Sequence, residues 1–154
     1  MKHRISLDEL YDEPIEMIGI YSPFPSFQLA YHINRHLGIR LEHSGTLEHA
    51  THPLGFNVYE YRDTDSGNAY TLFENFALVF STIEGDNLFS ASNTLVQRKV
   101  YFLPRMKDYT HFIRVMGEVP DAGSLYPVFR KIPGIEACTG LDPELLKNTP
   151  VLYY

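Results

Sequence analysis

The chain has 154 residues with one cysteine and no tryptophan, and its 13 Lys and Arg against 19 Asp and Glu give a formal net charge of −6. That length fits one domain with a core that needs no staples. The lone cysteine, Cys138, excludes an intrachain disulfide, and the acidic balance speaks against general attraction to phosphate backbones or anionic lipid.

The opening MKHRISLDELYDEPIEMIGI meets Asp8, Glu9, Asp12 and Glu13 before any sustained apolar run, so it does not read as a signal peptide. The sequence contains no run of the roughly 20 apolar residues that a membrane helix needs, and the expected compartment is the cytoplasm. Next, the apolar run IEMIGIYS, bounded by Pro14 and Ser22-Pro23, predicts a strand inside the sheet. Pro25 suits a first helical turn and Gly38 a left-handed C-terminal cap, with no breaker between them, so PSFQLAYHINRHLG predicts a helix. At about 100° per residue, Phe27, Leu29, Ala30, Ile33 and Leu37 share an arc that would rest on a sheet. Asn34 intrudes into that arc, and His32 and His36 lie on its far border. IRLEH then alternates as a brief strand, SGTLEHATHPLG reads as loop, and FNVYEYRD and AYTLFEN predict a hairpin around the turn DTDSGN.

FALVFSTIE predicts another strand, closed by GDN, and LFSASNTLVQ reads as a surface excursion. RKVYFLP leads into KDYTHFIRVMGE, where both faces carry apolar bulk, as in a central strand. A short helix with Leu125, Val128, Phe129 and Ile132 follows, then the strand IEACTGL, and Asp142-Pro143 opens a last helix. This order predicts an α+β fold with two main helices on one face of a mostly antiparallel sheet, a ferredoxin-like core with inserted strands, in a single domain over residues 1–154.

The segments IEMIGIYSPFPSFQLAYHINRHLGIRL, FNVYEYRD, YFLPRMKDYTHFIRV and GLDPELLKN occur in that order. Together they resemble the bacterial IPExxxVDY family, in which an apolar strand leads into an Asn-containing helix ending in Leu-Gly. An aromatic strand, the naming segment and an Asp-Pro followed by Leu-Lys come after it. The resemblance covers most of the chain, with residues 84 to 98 as an insertion. Leu103-Pro104-Arg105 stands where Ile-Pro-Glu is expected, and Asp108-Tyr109 follows after fewer residues and without the Val; Pro104, Asp108 and Tyr109 match by type. What the resemblance implies is a small cytoplasmic protein of undetermined activity, with no assigned catalytic residue.

Several constellations could carry chemistry. His32 and His36 are spaced to share a metal, but Ile33 stands where a metalloprotease helix has its Glu, and a third ligand would have to come from His43, His49 or His52. Surface histidines on a polar helix border are common, so no metal and no cofactor is expected. Asp63, Asp65 and Glu74 echo a calcium loop, yet Gly67 and Asn68 break its pattern and the flanks read as strands; a hairpin turn explains the same residues. Asp108, Tyr109 and His111 could do acid–base work, but in a strand Tyr109 and His111 share a face that Asp108 does not. Cys138 reads as a small buried thiol. Asn34, if buried, either pins its helix to the sheet or lines a pocket.

The chain holds 11 Tyr and 10 Phe, and Tyr59 and Tyr61 alternate with Phe56 and Val58 so as to form a tyrosine-rich outer face. The leading expectation is a non-enzymatic protein-binding or adaptor module that engages a partner, or its own copy, through that face or the tail Tyr153-Tyr154, with Asn34, Tyr59, Tyr61, Asp108 and Tyr109 as binding residues. The alternative is a small metal-dependent enzyme using His32, His36 and a loop histidine. No nucleophile elbow, phosphate loop or dinucleotide motif occurs. Nucleic acid is not an expected partner, and Arg98, Lys99, Arg105 and Lys107 read as a solvated sheet edge.

Overall fold

A computed structural model describes residues 15–49, 52–83, 94–117 and 122–142. In order these form β1 (Ile15–Tyr21), α1 (Ser26–Leu37), β2 (Glu42–His49), β3 (His52–Arg62), β4 (Ala69–Glu74), β5 (Phe76–Ile83), β6 (Thr94–Tyr101), β7 (His111–Met116), α2 (Ala122–Arg130) and β8 (Ala137–Leu141), with a 3-10 turn at Pro104–Met106. Six strands form one sheet in the order β2-β3-β4-β7-β1-β8, every neighbour antiparallel, while β5 and β6 pair only with each other. The α+β class expected from the sequence is the class the chain adopts.

Strand alternation divides the sheet between two cores. On one face Ile18, Ile20, Leu72 and Ile113 pack with Leu29, Ala30 and Ile33 of α1 and with Phe129 and Ile132 at the end of α2. Both helices therefore cover the same face. On the other, Met17, Phe56, Val58, Phe73 and Phe112 pack beneath Phe102 and Leu103. Phe102 meets Phe56 and Phe73 edge-on, with ring centroids 5.4 and 5.6 Å apart, an arrangement that adds to burial itself. The centre of the sheet is buried on both sides, and Phe112 through Val115 of β7 are buried without interruption, as its doubly apolar sequence requires.

Helix α1 starts after Pro25 and stops at Gly38, which takes the left-handed conformation at φ 65°. Its buried residues are Ser26, Leu29, Ala30 and Ile33, whereas Phe27 is exposed. The helical period explains the difference, because Ser26 falls at the centre of the arc of Leu29, Ile33 and Ala30 and Phe27 falls about 100° away. A polar residue thus occupies the first-turn position that meets the sheet.

Elsewhere the structure departs from the sequence reading. Residues 44–49 and 52–55, read as loop, extend β2 and β3 into a long hairpin whose register shifts between His43 and Gly45. Gly45 sits at φ 143° and absorbs that bulge. Residues 94–97, read as surface excursion, belong to β6. The strand expected from Tyr109 begins instead at His111, so Tyr109 and His111 lie on opposite faces: Tyr109 packs on the Phe112 side, its ring against Gly19, and His111 faces α1. The hairpin around Asp63–Asn68 is as expected; Asp63 accepts bonds from the Asp65 N–H at 3.0 Å and the Ser66 hydroxyl at 2.9 Å, which hold its carboxyl below the usual range. The helix expected from Pro143 and the tyrosines of the tail lie outside the described residues.

Candidate functional site

Beneath the first turn of α1, a chain of hydrogen bonds runs across the sheet. His43 on β2 faces Asn57 on β3, Nε2 to Oδ1, at 3.0 Å. The side-chain and backbone N–H groups of Asn57 donate to the two oxygens of Glu74 on β4, each at 3.1 Å. The Ser26 hydroxyl donates to the same carboxylate, and its oxygen lies 3.1 Å from Nε2 of His111 on β7. Nδ1 of His111 lies 2.9 Å from Oγ1 of Thr110, which also accepts the N–H of Ser22. Pairing explains the convergence, since Glu74 and His111 are direct cross-strand partners and strand alternation points both at the helix.

Counting protons places one hydrogen of His111. The Ser26 proton is spent on Glu74, so Ser26 can only accept from the ring, and Nε2 carries the hydrogen. Nδ1 faces the Thr110 oxygen, which accepts the Ser22 N–H and directs its own proton to the Ile20 carbonyl at 3.2 Å. The imidazole is 3% exposed, and burial pushes its pKa down from 6.5 to about 4, against the opposing pull of the Glu74 charge.

This order of groups differs from that of a nucleophilic hydroxyl. In a serine hydrolase the histidine takes the serine proton and a carboxylate orients the histidine. Here Ser26 stands between carboxylate and imidazole, its proton goes to the carboxylate, and at 5% exposure it is closed to a substrate. What the chain does is fasten α1 to four strands. Pro25 provides no side-chain cap and the first turn carries no acid, so Glu74 supplies from the sheet the negative charge that a helix N-terminus favours.

The residues singled out from sequence lie apart from one another. The Asn34 amide donates to the Leu41 carbonyl at 3.1 Å and its oxygen accepts the Leu41 N–H at 2.7 Å, so it clamps α1 to the segment entering β2. His32 stacks on Phe24 with centroids 5.3 Å apart, and Nδ1 of His36 faces the His32 carbonyl at 3.2 Å. Among the described residues no three His, Cys, Asp or Glu side chains are grouped to hold a metal. Tyr59 and Tyr61 do not form an outer face; both are half-buried against the helix-side core, because α1 and α2 cover the face that carries them. Burial, then the Glu74 charge, raises the Tyr59 pKa. Asp108 is exposed whereas His111 is buried, and burial pushes the Cys138 thiol up.

Four features escaped the sequence reading. Asn75, wholly buried, joins β4 to β5; its amide donates to the Met106 and Tyr109 carbonyls at 2.8 and 2.9 Å and accepts the Leu103 N–H at 2.8 Å. Glu16 is 9% exposed on the helix-facing side of β1, one carboxyl oxygen has no hydrogen-bond partner, and burial lifts its pKa to about 7. A shallow notch of about 240 Å³ spans the cross-strand pairs Glu60–Thr71, Tyr61–Tyr70 and Arg62–Ala69. A polar residue alternating in phase with core residues was the available signal for Glu16, Glu74 and His111.

The fourth feature is the β5–β6 arm. Cross-strand pairs share a face, so Phe76, Leu78 and Phe80 lie on one side with Tyr101, Lys99 and Gln97, and Ala77 and Val79 lie on the other with Val100 and Arg98. Ala77 and Val100 turn toward the body. The first set faces outward, with Leu78 46% and Phe80 59% exposed. Lys99 sits over the Phe76 ring at 4.8 Å and Lys107 over the Tyr101 ring at 5.4 Å.

Fold and surface together define an antiparallel α+β domain that carries a separate two-stranded arm. Compared with models of known families, with curated proteins and with solved structures, the chain matches none. No helix among the described residues is long and apolar enough to cross a membrane.

Proposed function

We propose that this chain is a non-enzymatic binding module that engages another protein through the outward face of the β5–β6 arm. The observation that carries this reading is the exposure of Leu78 and Phe80 on a two-stranded sheet that packs on the body through Ala77 and Val100 of its other face. Two strands alone are marginal in water, and clustered apolar side chains on such an element are a feature of interaction surfaces. The burial of Ser26 and His111, bonded to each other and to Glu74, supports a scaffold role for this part of the interior. The strand order β8-β1-β7-β4 with both helices on one face supports a ferredoxin-like core extended by β3 and β2. An arm added to that core agrees with residues 84 to 98 standing outside the segments that resemble the IPExxxVDY family.

The test is quantitative co-purification from native cells of the wild-type chain and of a Leu78→Ser, Phe80→Ser variant, with sedimentation of both. Loss of one stoichiometric protein from the variant, with unchanged folding by circular dichroism, is the expected result. Identical sets of co-purifying proteins would refute the reading.

A further inference from the structure

Resting on that reading, we infer that the partner of the arm is an acidic, extended segment of another protein, which adds as a strand to the open edge of β6 and reaches with a large apolar side chain over Gln97 and Lys99 to Phe80 and Leu78.

The charge distribution comes first. Residues 75–83 and 94–107 contain Arg98, Lys99, Arg105 and Lys107 and no acidic residue, in a chain with six more acids than bases. All four cations are exposed. Among the described residues none pairs with the outer edge of β6, because that sheet has two strands. An unpaired edge is a template for strand addition, and basic residues on it repel a second basic edge. A second copy docking edge to edge would set Arg98 and Lys99 against the same residues. An acidic strand turns that repulsion into favourable cross-strand pairs, so the same two residues both exclude self-pairing and select the partner. Main-chain bonds along the edge would give affinity and alternate side chains specificity.

The aromatic residues separate this partner from a nucleic acid. Single strands are held by stacking bases on free aromatic faces, but Lys99 and Lys107 already cover faces of Phe76 and Tyr101. Of the outward rings on these strands Phe80 stays open, beside the aliphatic Leu78, and one free ring suits an aliphatic or aromatic side chain better than a run of stacked bases. The overall charge of −6 also opposes a polyanion at long range far more than a short segment with two or three carboxylates.

The experiment is selection of a displayed library of random twelve-residue peptides on the full chain, with counter-selection on the Leu78→Ser, Phe80→Ser variant. Selected peptides are then measured by fluorescence anisotropy against wild type and an Arg98→Glu, Lys99→Glu variant, beside a labelled twelve-nucleotide uridine strand. Expected are peptides with adjacent Asp or Glu and a large apolar residue, bound at least tenfold more weakly by the charge-reversed variant. Their Lys-substituted counterparts should bind that variant better than wild type, and N-methylation of alternate amides should abolish binding. Neutral or basic winners that still need Leu78 and Phe80 would overturn the acidic partner and leave the binding module standing. No peptide able to tell wild type from the Leu78→Ser, Phe80→Ser variant would remove both. Binding that survives N-methylation would overturn strand addition, and preferential binding of the uridine strand would overturn the protein partner.

Discussion

Replacing His111 by Gln should change how stability depends on pH more clearly than it changes stability at neutrality. An unfolded chain protonates this histidine near 6.5, whereas the folded chain resists until about 4 because the charged ring would be buried between Ser26 and Thr110. Between those values the unfolded state binds a proton that the native state refuses. The contribution of the neutral ring is therefore complete above pH 6.5 and is lost as pH falls. Each pH unit costs about 1.4 kcal/mol, which sums to about 3 kcal/mol by pH 4, a large share of an ordinary domain's stability. Gln can still donate an N–H toward Ser26 but does not titrate. Urea unfolding of both proteins at half-unit steps from pH 7.5 to 4 gives the difference in unfolding free energy, in which titrations common to the two cancel. Wild type minus variant should decline by about 3 kcal/mol over that range. Parallel curves would show that His111 titrates alike in both states, and a difference that grows on acidification would mean that the native state holds an imidazolium paired with Glu74.

Glu16 carries the opposite sign. Its folded pKa of about 7 lies above the ordinary 4.5, so its burial costs nothing below pH 4.5 and costs most once pH passes 7; Glu16→Gln should be the more stable protein at pH 8, with the gap closing on acidification in the same urea series. Asn75→Ala removes three side-chain hydrogen bonds to buried backbone and should cost about 3 kcal/mol, with faster amide exchange at Leu103 than in β7. Phe102→Ala opens the core between Phe56 and Phe73 and should cost about 3–5 kcal/mol, seen as a fall in urea midpoint without a change in the far-ultraviolet spectrum of the helices.

What could be read from the sequence was what neighbouring residues decide. Pro25 and Gly38 bracket α1, and Asp63 to Asn68 make a turn that bonds to itself, so both were legible. Where a distant partner decides, the reading failed. Residues 44–49 and 52–55 are rich in His and Gly and have no apolar alternation, yet pairing between β2 and β3 across a bulge makes them strand. Tyr109 looked in phase with His111 until the turn at Pro104–Met106, held by Asn75, delayed the start of β7. Ser26, Asn57, Glu74 and His111 converge across sequence separations of 17, 48 and 85 residues, and no local pattern announces such a meeting. Tyr59 and Tyr61 were placed on the right side of their strand, but that side proved to be the one the helices cover.

The N–H of Phe102 bonds to the carbonyl of Asn75 at 2.6 Å, so the two ends of the arm meet at a single point. The arm between them is therefore an exchangeable part. A two-residue to four-residue turn spliced from Asn75 to Phe102 should close that point as hairpin loops do, leaving all six strands in register and giving up Ala77 and Val100 from the margin of the core. Other hairpins could be grafted at the same junction, making the domain a socket whose recognition element can be swapped without redesigning the fold beneath it.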